Sequence, residues 1–251
     1  MPACLFPVMS KTQAARALQD VWASWINEEY VAPWTLASTV SALRRGDPCA
    51  SLDNFWRLEQ VRALQAALSS ARWEPLHLLR IGDDVQHASE AEFANDRSGA
   101  RFSTHEVMKG IVDLLYEPGL TDSERALADF ISFVSGPGMS SWMAALTGNP
   151  KLLPKSAEFA RYVKGSYIDW HNDVVPGRMY NIATYLDEGW HPEDGGELSV
   201  RDASETVWTL LPAFNRIVFL TIHPTHSHRV SAWLRNGPGR HAASVSFGLK
   251  E

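Results

Sequence analysis

The sequence predicts an α+β fold: a largely helical first half followed by an antiparallel β-domain of sandwich or barrel type. Three observations predict it. Through about residue 150, apolar residues recur at the 3.6-residue spacing of amphipathic helices. Beyond residue 158, short β-branched and aromatic runs alternate with Gly, Pro, Asp and Asn clusters. No helical stretch separates those runs, which argues for a sandwich or barrel and against a parallel sheet.

The elements follow in order. After Ser10, a helical stripe runs through Ala14, Leu18, Val21, Trp22 and Trp25. A second runs through Leu52, Phe55, Leu58, Val61, Leu64 and Leu68. Two further helices are expected to open with capping boxes, in which a hydroxyl and a carboxylate three residues apart satisfy the free first-turn amides. The first is Ser103 with Glu106, before Val107, Ile111, Leu114 and Leu115; the second is Thr121 with Glu124, before Leu127, Phe130, Ile131 and Val134. Gly136-Pro137-Gly138 ends the latter, and a short helix is expected up to Gly148. The polar stretch 82–101 reads as a loop and a candidate substrate lid. Strands are expected at about 161–169, 178–186, 197–202, 206–211, 216–222, 228–233 and 241–247. Turns fall at 175–177, 192–196, 212–215 and 236–239. The 251 residues are read as one domain, with 1–157 a mostly helical support and 158–251 the β-core.

Composition excludes several classes. With Lys+Arg 23 against Asp+Glu 29 and a net charge of −6, the chain is no general binder of nucleic acid, which takes clustered cations. Cys4 and Cys49 are the only cysteines, too few for a disulfide framework or a four-Cys zinc site. The run Ala3 to Val8 is too short for a signal segment and is broken by Pro7. Ile217 to Ile222 is too short to span a bilayer. The expectation is a soluble, cytoplasmic protein with no membrane partner. Ten Trp imply large buried surfaces or an aromatic cleft.

The chemistry starts at His171-Asn172-Asp173. On a strand, residues i and i+2 point to one face, so an imidazole and a carboxylate converge there. A borderline divalent metal such as Fe(II) takes such a pair, with a third ligand from elsewhere and open positions left over. The spacing alone is common: His191-Pro192-Glu193 repeats it within a turn. The third ligand is sought among His223, His226 and His228. His228 is favoured, because the alternation onward through Val230 and Ala232 turns it inward. Arg240 opens the strand that follows, where a guanidinium facing the interior calls for an anionic partner.

The order His171-x-Asp173, His228, Arg240 resembles that of the Fe(II)/2-oxoglutarate-dependent dioxygenases. The segments Arg178 to Trp190, Gly195 to Leu198, Pro212 to Phe219 and His228 to Val230 resemble their prolyl-hydroxylase-like branch. The resemblance covers roughly residues 160–248. It implies a double-stranded β-helix (jelly-roll) core with helices packed on one sheet. It also implies that His171, Asp173 and His228 hold iron, and that Arg240 and Tyr185 hold the distal carboxylate of 2-oxoglutarate. Tyr162 resembles another tyrosine lining that cosubstrate site, and is equally readable as core. Gly195-Gly196 is read as serving a turn.

The implied reaction is hydroxylation of an unactivated C–H bond, with O2 consumed, succinate and CO2 as co-products, and ascorbate as a candidate reductant. Asp173 occupies the position that related halogenases leave without a carboxylate, so hydroxylation is expected over chlorination. The expected substrate is a small amino-acid-like or peptide-derived molecule, with a peptidyl or protein prolyl residue as alternative. Trp170, Asn172 and Arg178 flank the motif as candidate substrate contacts. Two other classes stay open: a cupin-type metal enzyme that does not use 2-oxoglutarate, and a non-enzymatic binding protein on a jelly-roll scaffold. The sequence does not set the oligomeric state.

Overall fold

A computed structural model describes residues 11–82, 84–111 and 113–249. The run Ala3 to Val8, Cys4 and Ser10 lie outside them, as does the side chain of Ala14.

In chain order the elements are helices α1 (Lys11–Ala23) and α2 (Ala37–Arg45), strand β1 (Cys49–Leu52), helix α3 (Leu58–Ser69), strands β2 (Trp73–Ile81) and β3 (Asp84–Ala88), helix α4 (Glu90–Asn95) and strand β4 (Arg101–Met108). Helices α5 (Asp122–Val134) and α6 (Pro137–Thr147) follow. The last stretch comprises β5 (Leu152–Tyr162), β6 (Tyr167–His171), β7 (Arg178–Tyr185), β8 (Leu198–Arg201), β9 (Val207–Leu210), β10 (Ile217–Thr221), β11 (Ser227–Val230) and β12 (Arg240–Leu249).

The strands pair in the order β1-β10-β7-β12-β5-β4-β6-β11-β8-β9, with β2 and β3 added beside β4. The ladder turns over at β4. Its Glu106 and Val107 pair with Arg161 and Ala160 of β5, while Ser103 and Thr104 pair with Ile168 and Tyr167 of β6. The sheet thereby curls into a double-stranded β-helix, with β5, β7 and β12 facing β6, β8 and β11 across an interior cavity.

Alternation along the strands sets both layers of the core. Ile217 and Phe219 of β10 join Ile182, Ala243, Val245 and Phe247 in the cluster that meets the helices. Their neighbours Val218 and Leu220 point the other way, into a cluster with Tyr185, Leu198, Val200 and Ala242. A strand covered on both faces reads as an unbroken apolar run, which is why 217–220 is Ile-Val-Phe-Leu.

The helical layer is dense in aromatics. Trp56 lies edge-on to Phe55, Phe130 and Phe133, and Trp142 stacks on Phe219. Buried indoles need acceptors, and they find them: Trp22 at the Gly138 carbonyl (3.1 Å), Trp142 at the Tyr30 carbonyl (2.8 Å) and Trp56 at the Thr184 hydroxyl (3.2 Å). Asn215 couples the layers. Its side chain accepts from the Trp56 amide at 2.9 Å and donates to the Trp56 carbonyl at 2.8 Å, from a left-handed backbone (φ 59°).

The capping box of Thr121 and Glu124 opens α5 as expected, and Gly148 ends α6 in the left-handed conformation. Other expectations are corrected. Ser103 and Glu106 do not open a helix but lie within β4. The Ser103 hydroxyl is engaged by the His105 ring and the Tyr167 carbonyl, and Glu106 pairs with Arg161, so pairing with distant strands overrides the local capping pattern. Leu114 and Leu115 sit in a one-turn 3₁₀ helix.

The stretch 82–101 is no plain loop, because it contains β3 and α4, the latter with its own capping box of Ser89 and Glu92. The first half is therefore less purely helical than predicted: β1 to β4 all extend the sheet. Leu52 belongs to β1, and Leu18, Val21 and Leu58 are exposed, off the buried stripes. The single strand expected at 161–169 is two, β5 and β6, joined by a turn. Among the described residues no helix is long and apolar enough to cross a membrane.

Asn215→Ala strips the side-chain partners from both the buried amide and the carbonyl of Trp56 and leaves an alanine at positive φ. The expected loss is about 2–4 kcal/mol in urea unfolding monitored by tryptophan fluorescence.

Candidate metal and cosubstrate site

Antiparallel pairing builds the first end of the site. β6 and β11 are in register at His171 and His228, which sets the two imidazoles side by side with ring centroids 4.1 Å apart. Two residues past His171, the Asp173 carboxylate meets both. Nε2 of His171 lies 3.7 Å from Oδ1, and Nε2 of His228 lies 3.5 Å from Oδ2. One ligand atom from each of the three residues falls within 4.8 Å of the others.

The tautomer is fixed on one side. Nδ1–H of His171 donates to the Asp169 carbonyl at 2.8 Å, leaving the Nε2 lone pair turned toward Asp173. Burial, and then the neighbouring His171, push the pKa of His228 down, against the pull of Asp173. The ring is thus held neutral, the form that ligates a metal. Two imidazoles and one carboxylate on one side of a point suit a non-haem Fe(II) with open positions.

The other end is Arg240. It is 3% exposed and directly opposite Tyr162 in the β12–β5 ladder. Its guanidinium lies 4.3 Å over the Tyr162 ring and 5.1 Å from that of Tyr185. Its Nε and Nη1 are buried and have no hydrogen-bond partner among the described residues. A buried guanidinium without an acceptor is costly, so this end is built for an anion. Burial raises the pKa of both phenols, with Arg240 opposing, which keeps them as neutral hydrogen-bond donors.

A cavity of about 150 Å³ joins the two ends, lined by His171, Asp173 and His228 together with Arg240, Tyr162 and Tyr185. Its other walls include Ile168, Leu198, Leu220 and Val230. The donor set at one end and the orphaned guanidinium at the other fit ferrous iron and a keto-diacid.

Residues 157–247 match the family model described as the 2OG-Fe(II) oxygenase superfamily. Over that stretch, about a third of its length, the chain is similar to that superfamily. Its relatives and structural neighbours include members of the prolyl-hydroxylase-like branch. A Xenopus laevis protein named prolyl 3-hydroxylase OGFOD1 is 27% identical over 112 residues, 42% of this chain and 22% of that one. The Mus musculus protein of the same name is 26% identical over 113 residues, 43% of this chain and 21% of that one. The chain thus spans about a fifth of the length of the curated relatives it matches. A Pseudomonas putida prolyl-4-hydroxylase superposes with a TM-score of 0.57 at 20% identity, over 86% of this chain and all of that one. A Trichoplax adhaerens prolyl hydroxylase, solved with a hypoxia inducible factor peptide, gives 0.56 at 14% identity over 96% and 94%.

Around this site, the structure adds residues that sequence reasoning missed. Asn181 donates to Asp173 Oδ2 at 3.0 Å, and the Ser244 hydroxyl donates to Asn181 Oδ1 at 3.0 Å, which orients the amide. Spacing could have found it, since Asn181 lies two and four residues before Ala183 and Tyr185 on the cavity face of β7. Arg178, named above as a candidate substrate contact, lies beside Asp173, with Nη1 3.8 Å from Oδ1 and 3.4 Å from the carbonyl. Glu158 also lines the cavity. Burial of its carboxyl, then the charge of Asp173, raise its pKa.

His223 and His226 stay out of the site. His223 is exposed and bonds to Thr225, and His226 bonds to the Thr221 carbonyl. His191 precedes a 3₁₀ turn, as read from its proline. Gly195 and Gly196 have φ of 69° and 76°, and a Cβ on Gly196 would come within 2.9 Å of the Trp233 ring and 3.3 Å of Arg240 Nε. The turn glycine thus also makes room for the guanidinium.

Behind Tyr162, the buried His105 stacks at 5.5 Å with its Nδ1 3.0 Å from the Ser103 hydroxyl. Burial first, then His77 and His171, lower its pKa to about 4.

Two outcomes are expected. Asn181→Ala loosens the Asp173 carboxylate and weakens Mn(II) or Fe(II) binding about 10-fold or more by calorimetry, with the fold retained. For His105 the folded pKa is depressed, so between about pH 6.5 and 4 the unfolded chain binds more protons. Stability falls as pH drops through that window, by at most about 3 kcal/mol from this residue, and levels off below it. In urea titrations against pH, His105→Asn flattens that limb.

Proposed function

We propose that the protein is an Fe(II)- and 2-oxoglutarate-dependent hydroxylase acting as one unit over its whole length. In this reading His171, Asp173 and His228 hold the iron. Arg240, Tyr185 and Tyr162 hold the far carboxylate of 2-oxoglutarate. The single observation that carries it is Arg240, buried with two unpartnered nitrogens, across one cavity from the His-Asp-His set.

With iron, 2-oxoglutarate and O2, the chemistry supplied is C–H hydroxylation: one oxygen atom enters the substrate as hydroxyl, the other enters succinate, and CO2 leaves. The chain's own part is positioning and exclusion of water. Arg240 offers a charge-assisted pair to a carboxylate in a low-dielectric pocket, where such bonds are strongest. The phenols donate from either side of it. Ile168, Leu198, Leu220 and Val230 keep the space between apolar. Asp173, tied to Asn181, fills the position a halide would need, which supports hydroxylation over chlorination.

For substrate, the reading is a small amino-acid-like or peptide-derived molecule. A prolyl residue is the second reading, favoured by the prolyl hydroxylases among its relatives and structural neighbours. A cupin-type enzyme without 2-oxoglutarate leaves the buried cation of Arg240 unexplained.

Arg240→Met is expected to raise the 2-oxoglutarate requirement about 100-fold or more, the worth of two lost charged hydrogen bonds. Succinate release and calorimetric binding of 2-oxoglutarate to the Mn(II)-loaded protein both read it. An unchanged requirement would remove Arg240 from this role.

A further inference from the structure

A second hollow, of about 400 Å³, lies on the rim of the metal cavity, and Arg80, Trp170, His171, Asn172, Arg201 and Ser227 all line it. His171 lines both spaces, so they meet at a proposed iron ligand. The strand register that turns His171 and His228 inward turns their neighbours outward. Arg201 pairs with Ser227 next to the His228–Val200 pair, and Trp170 precedes His171.

The rim is strongly cationic. Arg201 lies 4.4 Å and Arg229 4.9 Å from the Trp170 ring. Arg80 donates to the Trp170 carbonyl at 2.7 Å and lies 4.3 Å over Phe102, whose ring meets His171 edge-on at 5.5 Å. Arg201 is steadied by Ser227 (3.0 Å) and by Glu205 (3.0 Å), a carboxylate whose side chain is 72% exposed and therefore a weak, screened partner. No carboxylate lines the hollow among the described residues.

Guanidiniums keep their charge at any working pH. Two against one indole and a third at its backbone carbonyl, in a chain of net charge −6, reverse the local field, and their mutual repulsion is relieved by an incoming anion. Planar forks backed by an aromatic face suit a carboxylate.

Resting on the oxygenase reading above, we propose that this rim binds an anionic group of the substrate. A carboxylate docks on Arg80 and Arg201 against Trp170 while the carbon to be oxidised reaches past His171 into the metal cavity. That chemistry has two sources: the free carboxylate of an amino-acid-sized molecule, or an acidic side chain beside a prolyl residue in a peptide.

The test needs neither iron nor turnover. Trp170 fluorescence, taken as the difference between the native chain and Trp170→Phe, is titrated with two matched pairs. One pair is N-acetyl-L-proline and its amide; the other is an end-blocked Glu-Pro peptide and its Gln-Pro counterpart. The expected result is a preference of 10-fold or more for the acid in at least one pair, lost in the Arg80→Gln/Arg201→Gln double variant and reduced by salt. The pair that shows it names the source. Equal responses within both pairs, no response from any of the four, or a preference that survives the double variant would overturn the proposal.

Succinate release with the same compounds separates this idea from the one beneath it. An acid preference in binding with no succinate formed from 2-oxoglutarate leaves the rim standing and removes the oxygenase reading. Succinate formed equally with acid and amide removes the rim alone.

Discussion

The site depends on the pairing of β6 with β11. That ladder sets His171 against His228 at a centroid distance of 4.1 Å and delivers the chain directly into Asp173. Side chains on a strand alternate, so a slip of one residue would put an arginine or a serine where an imidazole stands. The register is pinned from outside the site: β11 is also zipped to β8 over Ser227 to Val230, and β6 is tied to β4 at Ile168 and Tyr167. The geometry of the candidate site is a property of the sheet.

The cavity is polarised along its length. One end gathers two imidazoles and a carboxylate, the other a cation flanked by phenols held neutral by burial. Between them the walls are largely aliphatic, so fields act with little screening. The same burial that holds His228 ready to ligate makes Arg240 costly without an acceptor, and the two needs point to one guest with a chelating head and an anionic tail. The hydrogen-bonded row Ser244–Asn181–Asp173 extends this order one layer outward.

How much of this was legible in the sequence differs by element. Most strands of the second half, the α5 capping box and the His171/Asp173 pair could be read because each is written locally: period-two alternation, a four-residue capping pattern, an i, i+2 pair. His228 was reached from the alternation that follows it and from the resemblance. Strands β2 to β4 could not. Ser103 and Glu106 carry a helix-opening pattern, and only pairing with β2, β5 and β6 makes them strand. Asn181 shares the cavity face of β7 by local spacing, but its bonds to Asp173 and to Ser244, 63 residues away, are not written in its own segment. The arginines of the rim come from positions 80, 201 and 229, joined only by Trp170. Contacts made at long range leave little trace in any one segment.

The segment shared with the superfamily, residues 157–247, is not the same thing as a unit that could stand by itself. β1 covers the outer edge of β10, β4 closes the gap between β5 and β6, and the apolar faces of α3, α5 and α6 roof the strands from above. Cut loose at residue 157, the barrel would be left with bare backbone along two borders and a wide greasy lid exposed, the conditions under which β-proteins glue to one another. Chemistry and foldability thus have different boundaries in this chain.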